Sequence, residues 1–354
     1  MIYFLILSIC FLAEFASYWT TWTFALLIFC GYTVYTVSKN IHWSVGLCVG
    51  VSTLSTVSLL LQWNSKYTIM DQTLILSFQH LSVLSLVSLL MMVAFGLFIN
   101  KPDRIIVCER ALVIGAFISS GVAIAKFLGM HINAFGNESM NGCYIVMAMP
   151  FLKRHFDERL LGILALGIVC TLSSVPIVAM CIVMTILYAR DVSDYFVAAI
   201  IPAFLFMGVE NFSNSTGRFS LWRAVWDWFY NNGSTYLGMG NGTFFMWGPH
   251  IQQHASVNIG NWFVWAHNDY LQILLELGWT GLLSVCVMII YLIRYSLNRK
   301  YLVAALAGYL CMSGFNFMVH LPIHAAVGVL LTVSIFHGRE NRNGQQKTSR
   351  EVFG

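Results

Sequence analysis

The chain is built of apolar runs that leave almost no room for charge. Eleven of them fall roughly at residues 1–15, 17–37, 41–62, 73–99, 107–129, 141–152, 160–189, 195–209, 270–293, 301–319 and 321–337. A helix crossing the hydrocarbon core of a bilayer needs about 20 apolar residues. In lipid, only a helix or a closed barrel satisfies its own backbone polar groups. Charged residues make up 10% of the 354, against roughly a quarter in soluble domains. The expected fold class is an all-α integral membrane protein. The net charge of +4 lies in short loops and the tail, where basic residues report orientation. Membrane lipid is thus the expected surroundings, and nucleic acid is excluded as a partner. The nine cysteines sit in or beside apolar runs without Cys-x-x-Cys spacing, so they read as small hydrophobes. The N-terminal run lacks the basic start and small-residue cleavage pattern of a secretory signal, and is expected to be an uncleaved first span.

Charge parity sets the topology. "KRHFDER" before the run 160–189 and "YARDVSD" after it are both basic enough to prefer the cytoplasm, so this run is expected to cross an even number of times. Ser173, Ser174 and Pro176 are plausible turn residues near its middle. Two short helices or a re-entrant hairpin fit better than one helix of about 45 Å. The count is then about twelve spans with both termini cytoplasmic. Fifteen of the nineteen Lys and Arg residues fall on the cytoplasmic side, leaving Lys66, Lys126, Arg218 and Arg223 outside. The chain divides into a bundle of spans 1 to 9 (1–209), one large outer loop (210–266), spans 10 to 12 (267–337) and a disordered cytoplasmic tail (338–354). Ionisable residues inside the spans are few: Glu14, His80, Lys126, Glu276, His320 and His324. Their scarcity counts against an ion-coupled transporter.

The outer loop holds six of the eleven tryptophans, a density that suits a segment lying on the membrane interface or over a cavity. "GRFSLWRAVWDWFY" predicts a short amphipathic helix from about Arg218 to Tyr230. At 100° per residue, Arg218, Trp222, Val225, Trp226 and Phe229 share one face. Arg218 therefore heads an aromatic stripe, suited either to snorkelling at the interface or to holding a phosphate by bidentate bonds. Arg223 points elsewhere and has Asp227 four residues on, a spacing for a surface ion pair. "LGMGNGTF" offers Gly240 and its neighbours either as an ordinary turn or as a place for close backbone approach to a ligand. In "WAHNDYLQILLELGWTGLL", Asn268 is placed to cap the tenth span, whose N-terminus would welcome an anion. His267, just before it, is the best-placed general base of the chain, because its ring titrates near neutral pH. Asp269 is positioned to orient it. His250 and His254 stand four apart with no third ligand evident, so no metal is expected.

These residues resemble the signature of the O-antigen ligase and polymerase family: "GRFSLWRAVW", then "LGMGNGTF", then "WAHNDYLQILLELGWTGLL", with "FGNESMNGCYIVMAMPFL" upstream. The resemblance covers roughly residues 105–335. It implies a GT-C-like bundle with a large periplasmic loop between spans 9 and 10, in a bacterial inner membrane. It further implies a metal-independent, inverting glycosyltransferase without cofactor. The donor would be a glycan on undecaprenyl diphosphate; the acceptor would be lipid A core in a ligase or a growing glycan in a polymerase. Carried over residue by residue, Arg218 contacts the diphosphate and His267 is the base on the acceptor. Trp222, Gly240, Asn268, Asp269, Tyr270 and Glu276 take supporting substrate-binding roles. Relatives carry an arginine where this chain reads Ser173-Ser174-Val175-Pro176, and the loop's second anion-binding arginine has no sure equivalent. Arg223 and Lys126 are the substitutes at hand. Two other readings of the same chemistry stay open: a flippase or transporter of lipid-linked sugars, and a protein O-oligosaccharyltransferase.

Overall fold

In the computed structural model, the residues described are 48–54, 72–130, 137–189, 217–232, 236–254 and 265–353. Among them the chain is all-helical, with no strand. The order is α1 (Gln72–Ile99), α2 (Pro102–Phe127), α3 (Glu138–His155), α4 (Leu161–Cys170), α5 (Ser174–Tyr188), α6 (Gly217–Asn232), α7 (Phe244–His254), α8 (Asp269–Ser296), α9 (Lys300–Phe315) and α10 (Pro322–Phe353). Two of these, α2 and α8, are long and apolar enough to cross a membrane. The runs expected at 1–15, 17–37 and 195–209 lie outside the described residues, and of the run 41–62 only 48–54 is described, as helix.

The run 160–189 is two helices, α4 and α5, separated at Thr171–Leu172–Ser173. Leu172 turns the chain with a φ of 51°, while Pro176 falls in the first turn of α5, where its missing N–H costs nothing. At 1.5 Å per residue the pair are about 15 and 22 Å long, so neither alone spans a core of about 30 Å. The last helix runs to Phe353, so the backbone of the segment expected to be a disordered tail is helical. Once an apolar span has nucleated a helix, each further residue is added cheaply.

At the centre lies α3, almost every residue of which is buried between Met140 and Leu152. Its Asn137 cap accepts from Ser139 N and Met140 N at 3.0 and 3.3 Å, and Lys153, Arg154 and His155 close its last turn against the helix dipole. Ile145, Val146, Met149 and Leu152 pack with Val113 of α2, Leu164 of α4, Val183 of α5 and Leu306 of α9. Small residues allow this closeness: a Cβ on Gly167 of α4 would stand 2.5 Å from Ser120 of α2. On the outside, large apolar side chains face away from the protein, including Val107, Ile114 and Ile118 on α2 and Leu283, Ile290 and Ile293 on α8. Apolar surface of that extent is seldom left to water.

The two ends of the bundle differ in chemistry. At one end Glu109, fully buried in α2, accepts from Arg154 Nη1 at 2.7 and 2.9 Å and from Ser334 Oγ at 2.9 Å, with His155 Nε2 beside it. Glu109 is a buried ionisable residue that the apolar-run reading passed over. Nearby, Arg299 donates to Ser334 O and Ile335 O, Lys300 to Ala189 O and Lys153 to Leu187 O. Lys153 and Lys300 thus close the carbonyl end of α5, the favoured dipole arrangement. The other end carries the N-terminus of α8 and is described next.

Candidate functional site

A second core joins α6, α7 and the start of α8, so the helices of the 210–266 segment are packed onto the bundle. Leu221, Ala224, Val225 and Phe229 of α6 bury against Phe244, Trp247 and Ile251 of α7 and Leu274 and Leu275 of α8. The buried stripe is turned by about one residue from the expected one: Trp226 is exposed, and Leu221 and Ala224 take the inward positions.

The backbone of the glycine-rich turn grips a break in α8. At Gly278 the chain leaves helical geometry, with φ 67° and ψ −166°. The carbonyls left without helical partners are taken up by the turn: Met239 N donates to Leu275 O at 2.8 Å and Gly240 N to Glu276 O at 3.0 Å, while Thr280 N donates to Tyr236 O at 3.2 Å. A Cβ on Gly238 would meet the Glu276 carbonyl and Gly278 N at 2.5 Å, and one on Gly278 would run into the Tyr236 carbonyl. Both glycines are demanded by that contact as well as by their positive φ. Glu276, buried, then receives Gly242 N at 2.9 Å, Phe244 N at 3.0 Å and Gln272 Nε2 at 3.0 Å. A carboxylate from α8 therefore caps the N-terminus of α7.

His267 stands immediately before α8. It has a φ of 52°, a strained conformation for a residue with a Cβ. The peptide ahead of it is held on both sides: Ala266 N donates to Gln272 Oε1 at 3.2 Å, and Trp222 Nε1 donates to Ala266 O at 2.7 Å. The imidazole lies edge-on to Phe317, ring centres 4.9 Å apart. Burial, and secondarily the Arg218 guanidinium, push its pKa down to about 4. The ring is therefore neutral at ordinary pH and able to take a proton. Arg218, in the first turn of α6 and half-buried, donates from Nη1 to Phe315 O at 3.2 Å. The two residues thus meet the same short turn, 315–317, from two sides.

Asn268 caps α8 as expected, its Oδ1 accepting from Leu271 N at 3.0 Å. Asp269 does not orient His267. Its two oxygens face the turn after α9, one toward Val319 N at 3.2 Å and the other toward His320 Nδ1 at 3.1 Å. Tyr270 donates to Leu310 O at 3.0 Å. Lys126 lies 3.9 Å from Glu138, joining the ends of α2 and α3. Arg223 pairs with Asp227 at 3.9 Å, both well exposed. A groove of about 510 Å³ runs between α6 and α8, lined by Phe219, Trp222, Trp226, Tyr270, Leu274 and Leu282, with Arg223 and Asn268 supplying polar groups.

Four further residues belong to this end. Asn316, buried after α9, donates from Nδ2 to Ser139 Oγ at 3.3 Å and Cys143 Sγ at 3.4 Å, tying the turn to α3. His324 Nε2 lies 2.9 Å from Met140 O. Gln272 and His320 link Asp269 to Glu276. A signal for this line was present: Asp269, Gln272 and Glu276 are polar at i, i+3 and i+7, one face of an otherwise apolar helix. No such spacing foretells His320, whose place depends on how α9 and α10 pack. Among the described residues, no group of three or more His, Cys, Asp or Glu stands close enough to hold a metal. No protein-family model matches this chain, and no curated protein matches it.

Proposed function

We propose that the chain is a multi-pass membrane glycosyltransferase of the O-antigen ligase and polymerase type. In this reading about twelve spans cross a bacterial inner membrane, with the 210–266 segment on the periplasmic side. The observation that carries it is the convergence of Arg218 and His267 on the 315–317 turn, a half-buried guanidinium and a neutral imidazole. The exposed apolar faces of α2 and α8 and the basic closure of the Arg154 end support the membrane setting and its orientation.

In the proposed reaction His267 removes the proton of an acceptor sugar hydroxyl. The oxygen forms a bond to the anomeric carbon from the face opposite the leaving group, the bond from that carbon to the diphosphate oxygen breaks, and the lipid diphosphate departs with both electrons. Arg218 offsets the charge it gains. Donor binding also prepares the base. Burial is the larger cause of the depressed His267 pKa and Arg218 the smaller; a diphosphate beside Arg218 offsets the smaller part, so the ring becomes more basic when substrate is present. The apolar groove between α6 and α8 suits the isoprenoid chain, its polar groups lying toward the headgroup.

The test is complementation of a strain lacking the gene. His267→Ala is expected to lower product formation by roughly 10²- to 10⁴-fold, the usual contribution of a general base, with the protein still present in the membrane. Full polymer or fully capped lipopolysaccharide from His267→Ala would refute the assignment of base. The defect of the strain lacking the gene separates the two activities. Long chains stranded on the carrier mean a ligase, and single repeat units on the core mean a polymerase. Translocation of donor in vesicles without a new glycosidic bond would instead make the protein a flippase.

A further inference from the structure

His267 is held by a buried polar line that begins on the far side of the turn after α9. Ala266 N donates to Gln272 Oε1 at 3.2 Å; Gln272 Nε2 lies 2.9 Å from His320 Nε2; His320 Nδ1 lies 3.1 Å from Asp269 Oδ1. Trp265 packs on the His320 ring at 4.9 Å and stacks on Phe317 at 5.8 Å, and Phe317 in turn abuts His267. We infer that His320 is a positioning residue for His267, acting through the Gln272 amide as a proton-sensitive latch on the Ala266 peptide. This rests on the reading of His267 as the base.

The proton inventory supports the latch. Gln272 Nε2 has two hydrogens, and the geometry directs one to Glu276 Oε1 and one to His320 Nε2. An amide carries no lone pair to accept on that nitrogen, so His320 Nε2 accepts and Nδ1–H donates to Asp269: the ring is neutral in this arrangement. If His320 gains a proton, N–H faces N–H, and the amide must turn over. Its Oε1 then faces His320 and no longer holds Ala266 N–H. The peptide that keeps His267 at a φ of 52° loses one of its two anchors, and the strained conformation is no longer over-determined. The charged groups acting on His320 are Asp269, which accepts from its Nδ1, and Glu276, one link away through Gln272. The other titratable groups coupled to this pair are Tyr270 on α8, Tyr309 on α9 and His324 on α10, each acting through Asp269. Across the 315–317 turn stand His267 and Arg218, coupled to one another.

The sign follows directly. The latch holds only while His320 is neutral and accepts from Gln272, so it closes as pH rises, and activity falls on the acid side when His320 takes a proton.

The experiment uses the full-length protein in nanodiscs. Product formation from a lipid-diphosphate-linked glycan is followed from pH 5 to 9, and carbethoxylation of His267 by diethyl pyrocarbonate is followed by mass spectrometry over the same range. The wild type is expected to lose rate by about tenfold per pH unit below the His320 pKa, the slope of one proton, and His267 modification should change at the same pH. His320→Asn retains a donor toward Asp269 but does not titrate there. Its acid limb should move down by at least one pH unit, and the inflection in His267 modification should vanish. Gln272→Met keeps His320 and cuts the link, so it should remove the same inflection even if His320→Asn fails to fold. An unchanged acid limb and an unchanged inflection in the folded variants would overturn the latch. If the wild type makes no glycosidic bond, the glycosyltransferase reading fails, and the His267 modification profiles alone decide the latch.

Discussion

Replacing Glu276 by glutamine tests whether one carboxylate assembles the site. Its two oxygens receive at least three donors: Gly242 N on Oε2, and Phe244 N and Gln272 Nε2 on Oε1. Glutamine is nearly the same shape but presents one oxygen and one NH2. Wherever the amide oxygen sits, the NH2 confronts a donor. If it keeps the Oε1 place, half-buried Gly242 N–H loses its charge-assisted bond, worth roughly 1.5–3 kcal/mol, and faces the amide NH2 instead of an acceptor, a further cost of about 1 kcal/mol. The expected loss is therefore about 2–4 kcal/mol, or roughly 30- to 1,000-fold in the equilibrium at 1.4 kcal/mol per factor of ten. Alanine removes all three acceptor contacts and should cost about 4–6 kcal/mol. The assay is unfolding of the solubilised protein by added SDS, read from tryptophan fluorescence, with Trp228 and Trp247 reporting on the α6–α7 contact. Because α7 and the glycine turn hold α8 at its break, activity should fall in parallel. A Glu276→Gln midpoint within about 0.5 kcal/mol of wild type would refute the claim that this carboxylate organises the region.

Gly278→Ala should be among the most damaging single-atom additions in the chain, since its Cβ meets the Tyr236 carbonyl at a backbone angle that disfavours side chains; expression and size-exclusion profile check this, and a well-folded, active Gly278→Ala would contradict it. Arg223→Ala, in contrast, removes an exposed pair with Asp227 at 3.9 Å and should change stability by under about 0.5 kcal/mol. A large rise in donor KM with unchanged stability would show that Arg223 leaves Asp227 for the substrate, which the groove beside it permits.

Helical class and the main helix positions were legible in the apolar runs, because a backbone in lipid must satisfy itself locally. The split of 160–189 was legible from charge parity, and the cap at Asn268 from residue type beside a helix start. The segment "HNDYL" suggested one pairing that the fold does not make. Proximity in sequence coupled Asp269 to His267, whereas the fold couples Asp269 to His320, fifty-one residues away. The glycine run was legible as a turn, but not that Met239 N and Gly240 N donate to the carbonyls of α8.

Sequence alone therefore determined the helical composition, the positions of most helices and the cluster of residues around which chemistry is proposed, since period, polarity and capping are local properties. Only the tertiary structure decided that Arg218 and His267 share the 315–317 turn, that Glu276 caps α7, and that His320 closes the line behind His267. Those pairings span 32 to 97 residues, and they depend on how helices cross and where α8 breaks, which no local pattern encodes.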